Sequence, residues 1–121
     1  MKGHRIDLVP SERRVRVEVA GEVIAESGRV LELHETGHRI RWYLPVEDVR
    51  EGVLEPSEKT THCPFKGDAS YFSLRAGGEL HPDLVWTYTD PLPEVRDIAG
   101  LVCFYEERVD LTVDPPVVSA A

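Results

Sequence analysis

Apolar and polar positions alternate with period two along much of this chain, the pattern of strands with one buried face. Val15, Val17 and Val19 alternate with Arg14, Arg16 and Glu18, and Ala20-Gly21 permits a turn into Val23-Ile24-Ala25. Leu31 and Leu33 share a face opposite Glu32 and His34, and Thr36-Gly37 can close a hairpin onto His38–Leu44. There Ile40, Trp42 and Leu44 point one way, and Arg39, Arg41 and Tyr43 the other; Pro45, which cannot donate to a ladder, ends the strand. Val46–Arg50 reads as a single helical turn or a loop. Farther on, Tyr71–Ala76 and Leu84–Tyr88 read as strands around a Gly77-Gly78 turn. Leu101–Tyr105 is a short unbroken apolar run, as expected of a fully buried strand, and Val109–Val113 is a last strand before a loose tail over 114–121.

One segment reads as helix. Asp90 suits a cap, Pro91 the first helical position and Gly100 the stop, with Leu92, Val95 and Ile98 lining an inner stripe. The expectation is a mainly β protein with one short helix near residues 91–99. Many short strands with glycine turns and one late helix suit a sandwich, a barrel or a folded pair of sheets. Strand and helix do not alternate, which argues against a doubly wound parallel sheet.

Composition narrows the picture. A length of 121 residues and an apolar fraction of 41% suit a single domain with one core. A formal net charge of −8 disfavours broad electrostatic attraction to nucleic acid or to an anionic membrane, so neither is expected as a partner, while a local cationic pocket stays open. No window approaches a membrane-spanning length, and no apolar signal core follows the basic Met1-Lys2-Gly3-His4-Arg5, so the expected location is the cytoplasm. Cys63 and Cys103 are accordingly expected to stay unpaired.

One stretch breaks the alternation. Thr60–Gly67 gathers two hydroxyls, an imidazole, a thiol and an ammonium, with Pro64 and Gly67 fixing or bending the backbone; it reads as a loop presenting polar groups toward one cavity. Cys63 is the candidate nucleophile or redox centre, His62 its acid/base partner and Lys66 an anion anchor. Each residue also has a plainer reading. Cys63 can be a half-buried packing residue beside a proline, His62 can satisfy backbone groups, and Lys66 can be a solvated lysine at a turn. Cys103, inside Leu-Val-Cys-Phe-Tyr, reads as core. Tyr43, just before Pro45, is a surface or pocket candidate, whereas Trp42 and Trp86 at alternating positions suit the core. The chain has no Cys-x-x-Cys or His-x-x-x-His pair, and a predicted turn separates His34 from His38, so no metal site is expected. Nothing in these residues names a cofactor or an oligomeric state.

The longer pattern resembles a known family. It runs through Gly21-Glu22-Val23-Ile24-Ala25, Trp42-Tyr43 with Pro45, Leu54-Glu55-Pro56-Ser57, the run Thr60-Thr61-His62-Cys63-Pro64-Phe65-Lys66-Gly67-Asp68-Ala69-Ser70-Tyr71, Trp86 with Tyr88, Ile98-Ala99-Gly100 and Phe104-Tyr105. Over about residues 12–113 the chain resembles a widespread microbial family of unknown function that carries a nucleotidyltransferase-like label. The resemblance implies a β-tent-like fold, two antiparallel sheets packed at an angle. It marks Thr61, His62, Cys63, Pro64, Lys66, Gly67, Tyr71 and Trp86 as characteristic positions. Relatives of that fold often hold zinc through paired Cys-x-x-Cys motifs, which this chain lacks. The label finds little support in the residues, because nucleotidyl transfer commonly needs paired carboxylates for divalent metals, and Glu47-Asp48 and Glu106-Glu107 are merely adjacent.

Three functional readings follow. The first is a domain that binds a small polar or anionic molecule at the Thr60–Gly67 segment, with Cys63, His62 and Lys66 as catalytic candidates and Thr61, Tyr43, Tyr71 and Trp86 as ligand contacts. The second is a non-catalytic protein-interaction module. The third is a nucleotidyltransferase-like enzyme.

Overall fold

A computed structural model describes residues 3–117 as ten strands and three 3-10 segments. The strands are β1 (Ile6–Pro10), β2 (Arg14–Val19), β3 (Glu22–Ser27), β4 (Leu31–Glu35), β5 (Arg41–Leu44), β6 (Leu54–Cys63), β7 (Gly67–Ala76), β8 (Glu79–Thr87), β9 (Val102–Phe104) and β10 (Asp110–Asp114). They form two antiparallel sheets: a seven-stranded one in the order β1-β4-β5-β9-β8-β7-β6 and a three-stranded one in the order β10-β2-β3. The mainly β expectation and the two packed sheets are therefore what the chain adopts. No helix among the described residues is long and apolar enough to cross a membrane.

The alternation read from the sequence sorts residues between two apolar clusters. Val15, Val17, Val19 and Ile24 of the small sheet pack against Trp42, Leu44, Val85, Val102 and Phe104 on the inner face of the large one. Burying each such side chain contributes roughly 1.5–3 kcal/mol, so this inter-sheet layer holds the fold together. The residues between them on the same strands, Tyr43, Trp86 and Cys103, face the other way and join Leu33, Ala69, Tyr71 and Tyr88 on the outer face. Val95 and Ile98 cover part of that outer face, with Ile6 and Leu8 of β1 packed beside them. Strand β9 and the end of β8 are thus covered on both sides, which is why their runs are unbroken and apolar.

Three sequence expectations need correction. Thr60–Gly67 is not a free loop: Thr60–Cys63 completes β6, Gly67 opens β7, and Cys63 pairs with Gly67 across a hairpin tip of Pro64, Phe65 and Lys66. The tip is closed by a Lys66 N–H bond to the Cys63 carbonyl, and Gly67 adopts φ of +112°, which favours glycine. The segment near 91–99 is not an α-helix but two 3-10 turns merged over Pro93–Ile98, broken at Val95. Pro93 is the cause, because it drives Leu92 to extended geometry (φ −60°, ψ 152°), so a helix cannot start at Pro91. Of the expected stripe, Val95 and Ile98 are buried and Leu92 stays exposed. The tail begins after Asp114, the last residue of β10; Pro115–Val117 are irregular, and the rest of the tail, like Met1 and Lys2, lies outside the described residues.

Candidate functional site

The outer face of the large sheet carries a row of side chains contributed by five strands. Register aligns Leu31 with Tyr43, Tyr43 with Cys103, Cys103 with Trp86, and Trp86 with Tyr71. Tyr105 lies edge-on to Trp86 at 4.7 Å between ring centroids and stacks near Tyr71 at 6.4 Å. Above this aromatic floor opens a cleft of about 540 Å³. Its walls are the hairpin tip (Cys63–Lys66), His4 at the start of the chain, Glu35, His38 and Arg41.

The structure brings together most of the residues singled out in the sequence, though not all. Cys63, Lys66, Tyr43, Tyr71 and Trp86 line the cleft. Thr61 stands behind them on the same strand face as Cys63, and its hydroxyl is 2.9 Å from that of Tyr71, so it orients a wall residue. His62 is elsewhere. Successive residues on a strand face opposite sides, and the His62 ring, 70% exposed, bonds Asp68 at 2.7 Å. It therefore cannot act as the acid/base partner of Cys63 in this arrangement. Lys59 sits over the Tyr71 ring at 4.7 Å, from the irregular stretch of β6 between Pro56 and Thr60.

Lys66 is not a solvated turn lysine. Its Nζ lies 2.7 Å from Glu35 Oε1, with both side chains largely enclosed, 12% and 9% exposed. The other carboxylate oxygen of Glu35 meets His4 Nε2 at 3.0 Å, and the His4 ring stacks on Phe65 with centroids 3.8 Å apart. Burial pushes the Glu35 carboxyl up, but hydrogen bonds from Lys66 and His4 more than offset it, leaving the group below its ordinary value. On the opposite wall the Arg41 guanidinium stands 5.2 Å over Trp86 and clasps Glu107 through two bonds of 3.0 and 3.1 Å. Those bonds hold the Glu107 carboxyl down at about 2.

The floor is built of phenols. Tyr43 is 1% exposed, and its hydroxyl accepts a 3.0 Å bond from Trp86 Nε1. Burial holds the Tyr43 and Tyr88 hydroxyls well above the ordinary phenol range, so both are neutral donors at any physiological pH. Cys103 lies beneath this floor; burial pushes its thiol up, and it is core, as expected. Both cysteines are free.

Sequence reasoning missed His4, Glu35, Tyr88 and Tyr105 as cleft residues. Each is an ordinary strand or terminal position when read locally. The signal that could have found Tyr88 is its i, i+2 spacing from Trp86, which puts both on one face of β8 or its end. Among the described residues no group of three or more His, Cys, Asp or Glu side chains stands ready to hold a metal ion.

Comparison with known proteins places this cleft in a family context. The family described as "Domain of unknown function (DUF427)", labelled NTP_transf_9, matches residues 7–115. The chain belongs to that family. The match takes in residues 7–10 of β1, which the expected boundary at residue 12 had left out; His4 of the cleft wall lies before it. No curated protein shows significant similarity to the chain.

Proposed function

We propose that this DUF427 domain binds a small polar or anionic molecule in the cleft beneath the β6–β7 hairpin tip. The observation that carries this reading is the charge of the lining. In a chain of net charge −8, the cleft is lined by Arg41, Lys66, His4 and His38 and by a single carboxylate, Glu35. Two fixed cations, Arg41 and Lys66, against one lining carboxylate, with the ring nitrogens of His4 and His38 beside them, offer an anion hydrogen-bond donors over a low-polarity aromatic floor, which strengthens each polar contact it makes. The floor supplies apolar area, and the few polar groups at the rim fix orientation, the usual division of labour in a ligand site.

Cysteine chemistry is a second reading, favoured by one observation: Cys63 faces the cleft, partly exposed, while Cys103 does not. His62 has no part in it. The interaction-module reading draws on exposed Phe65 and Leu92, which flank a concave cleft. The family's label gains nothing from the lining, which offers one carboxylate where two-metal chemistry uses several.

The test uses Cys63 as a reporter. Iodoacetamide alkylation of Cys63 is timed in the presence of small carboxylates, sulfonates and phosphate esters, and of amines matched in size. The expected result is slowed labelling by members of the anionic set and none by the amines. Labelling that is indifferent to every compound would overturn the reading. Calorimetry with nucleoside triphosphates and magnesium tests the label separately; no heat of binding would remove it.

A further inference from the structure

We infer that the floor of the cleft is a hydroxyl donor site for an sp2 oxygen, the carboxylate or carbonyl end of a ligand, seated on Tyr88 and Tyr43. This deepens the binding reading above and rests on it.

Tyr88 is 5% exposed and lines the cleft, yet its hydroxyl has no hydrogen-bond partner among the described residues. No fully enclosed side-chain oxygen or nitrogen among those residues goes unpaired, so the Tyr88 hydroxyl must reach the cleft's own space. Tyr43 supports the same conclusion. It already accepts from Trp86, an indole that can only donate, so what Tyr43 has left to offer is its own proton. No acceptor for that proton is present among the described residues. Both phenols line the same cleft, and Tyr88 follows by two residues the Trp86 that bonds Tyr43. Buried polar groups are nearly always satisfied, and a buried hydroxyl opening on a cleft is satisfied by what enters it.

The chemistry of the partner follows from the donor type. Both hydroxyls are neutral and carry no charge to attract a cation; Tyr43, already accepting from Trp86, offers its proton, and Tyr88, free to donate or accept, can donate to the same oxygen. A carboxylate or ketone oxygen accepts from both; an ammonium cannot. Lys66 and Arg41 at the rim are already paired with Glu35 and Glu107, so selection deep in the cleft falls to the tyrosines. A bond from a hydroxyl to an ionised acceptor is the stronger kind, which places a carboxylate above a neutral ketone.

The experiment titrates the full chain calorimetrically with 2-naphthoate, 2-acetonaphthone and 2-naphthylmethylamine, and follows protection of Cys63 from iodoacetamide with each. Wild type is expected to rank the carboxylate first, the ketone second and the amine last, with the carboxylate roughly tenfold or more above the amine. Tyr88→Phe keeps the ring and is expected to weaken naphthoate roughly tenfold and to narrow the gap to the amine. Tyr43→Phe is the second variant and should act in the same direction. Probes that all protect Cys63 with equal affinity, or variants with unchanged ranking, would overturn the donor site while leaving the cleft reading intact. Failure of every probe to protect Cys63 would remove both.

Discussion

Replacing Lys66 by Met tests whether the hairpin tip is held by charge. The ammonium and the Glu35 carboxylate are 2.7 Å apart with 12% and 9% of their side chains exposed, so the substitution leaves a carboxylate enclosed without its cation. Breaking a buried pair by removing one partner costs about 3–5 kcal/mol. Here His4 still bonds the second carboxylate oxygen, and the pair borders an open cleft, so about 2 kcal/mol is expected. With a urea slope of about 1–3 kcal/mol/M for a chain of this size, the midpoint should fall by roughly 1 M. Glu35→Gln alone should also destabilise, because it strands the ammonium. The double variant should return to within about 1 kcal/mol of wild type, since replacing both charges removes the desolvation cost along with the attraction.

The same pair fixes a pH dependence. Glu35 in the folded chain lies below its ordinary value of 4.5, so its contribution is present above that value and is lost as pH falls through the folded one. In Lys66→Met, burial is opposed chiefly by the His4 hydrogen bond, and protonating Glu35 removes the stranded charge. The stability gap between variant and wild type should therefore be widest near neutral pH and shrink as pH drops below 4.5. A loss under about 0.5 kcal/mol, the scale of a surface pair, or a gap that is flat across this range would refute the reasoning.

Four further outcomes follow from the geometry. In the folded protein one thiol per chain, Cys63, should react with a mild alkylator, with Cys103 protected until denaturation; mass spectrometry showing Cys103 labelled first would contradict the fold. A Cys63 no more reactive than free cysteine would end the case for nucleophilic catalysis. Gly67→Ala forces a Cβ onto a φ of +112° with the backbone of Asp90, Pro91 and Leu92 at 3.6 Å, and should cost about 1–3 kcal/mol in urea unfolding. His62→Ala should leave stability within about 0.5 kcal/mol and Cys63 reactivity unchanged, because the ring is exposed and bonds only Asp68; a large drop in thiol reactivity would restore the Cys63–His62 pair. Glu107, held at about 2 by Arg41, supports stability above its ordinary 4.5 and loses that support as pH falls toward 2, so Glu107→Gln should flatten the stability profile over this window. The effect should be small, since the Glu107 side chain is 45% exposed.

How much of this could be read from the sequence depends on how far apart the interacting residues are. The faces of β2, β5 and β9 were legible, because period two is a local property and Trp42 against Tyr43 declares two sides of one strand. Over 91–99 the cap, proline and glycine signals mark the place of a short helix, and the second proline, whose constraint on Leu92 outranks them, makes it 3-10 and moves its start to Pro93. Thr60–Gly67 reads as a loop and is the end of one strand, a hairpin tip and the start of the next. Its polar residues hid a strand whose pattern is set by Thr61 and Cys63 facing the cleft and His62 facing away. The cleft itself was beyond local reading, since its floor aligns residues from β4, β5, β9, β8 and β7, and sheet order, unlike alternation, leaves no mark on neighbouring positions. That order also explains why Tyr43 is both buried and in the cleft lining. It stands on an outer face, as alternation requires, but its neighbours across the sheet bring Trp86 to its hydroxyl, and Tyr88 follows Trp86 two residues on. The reactive-looking cluster in one stretch of sequence is thus divided between two faces of a hairpin, and the groups that converge in space come from segments that, read singly, looked like core.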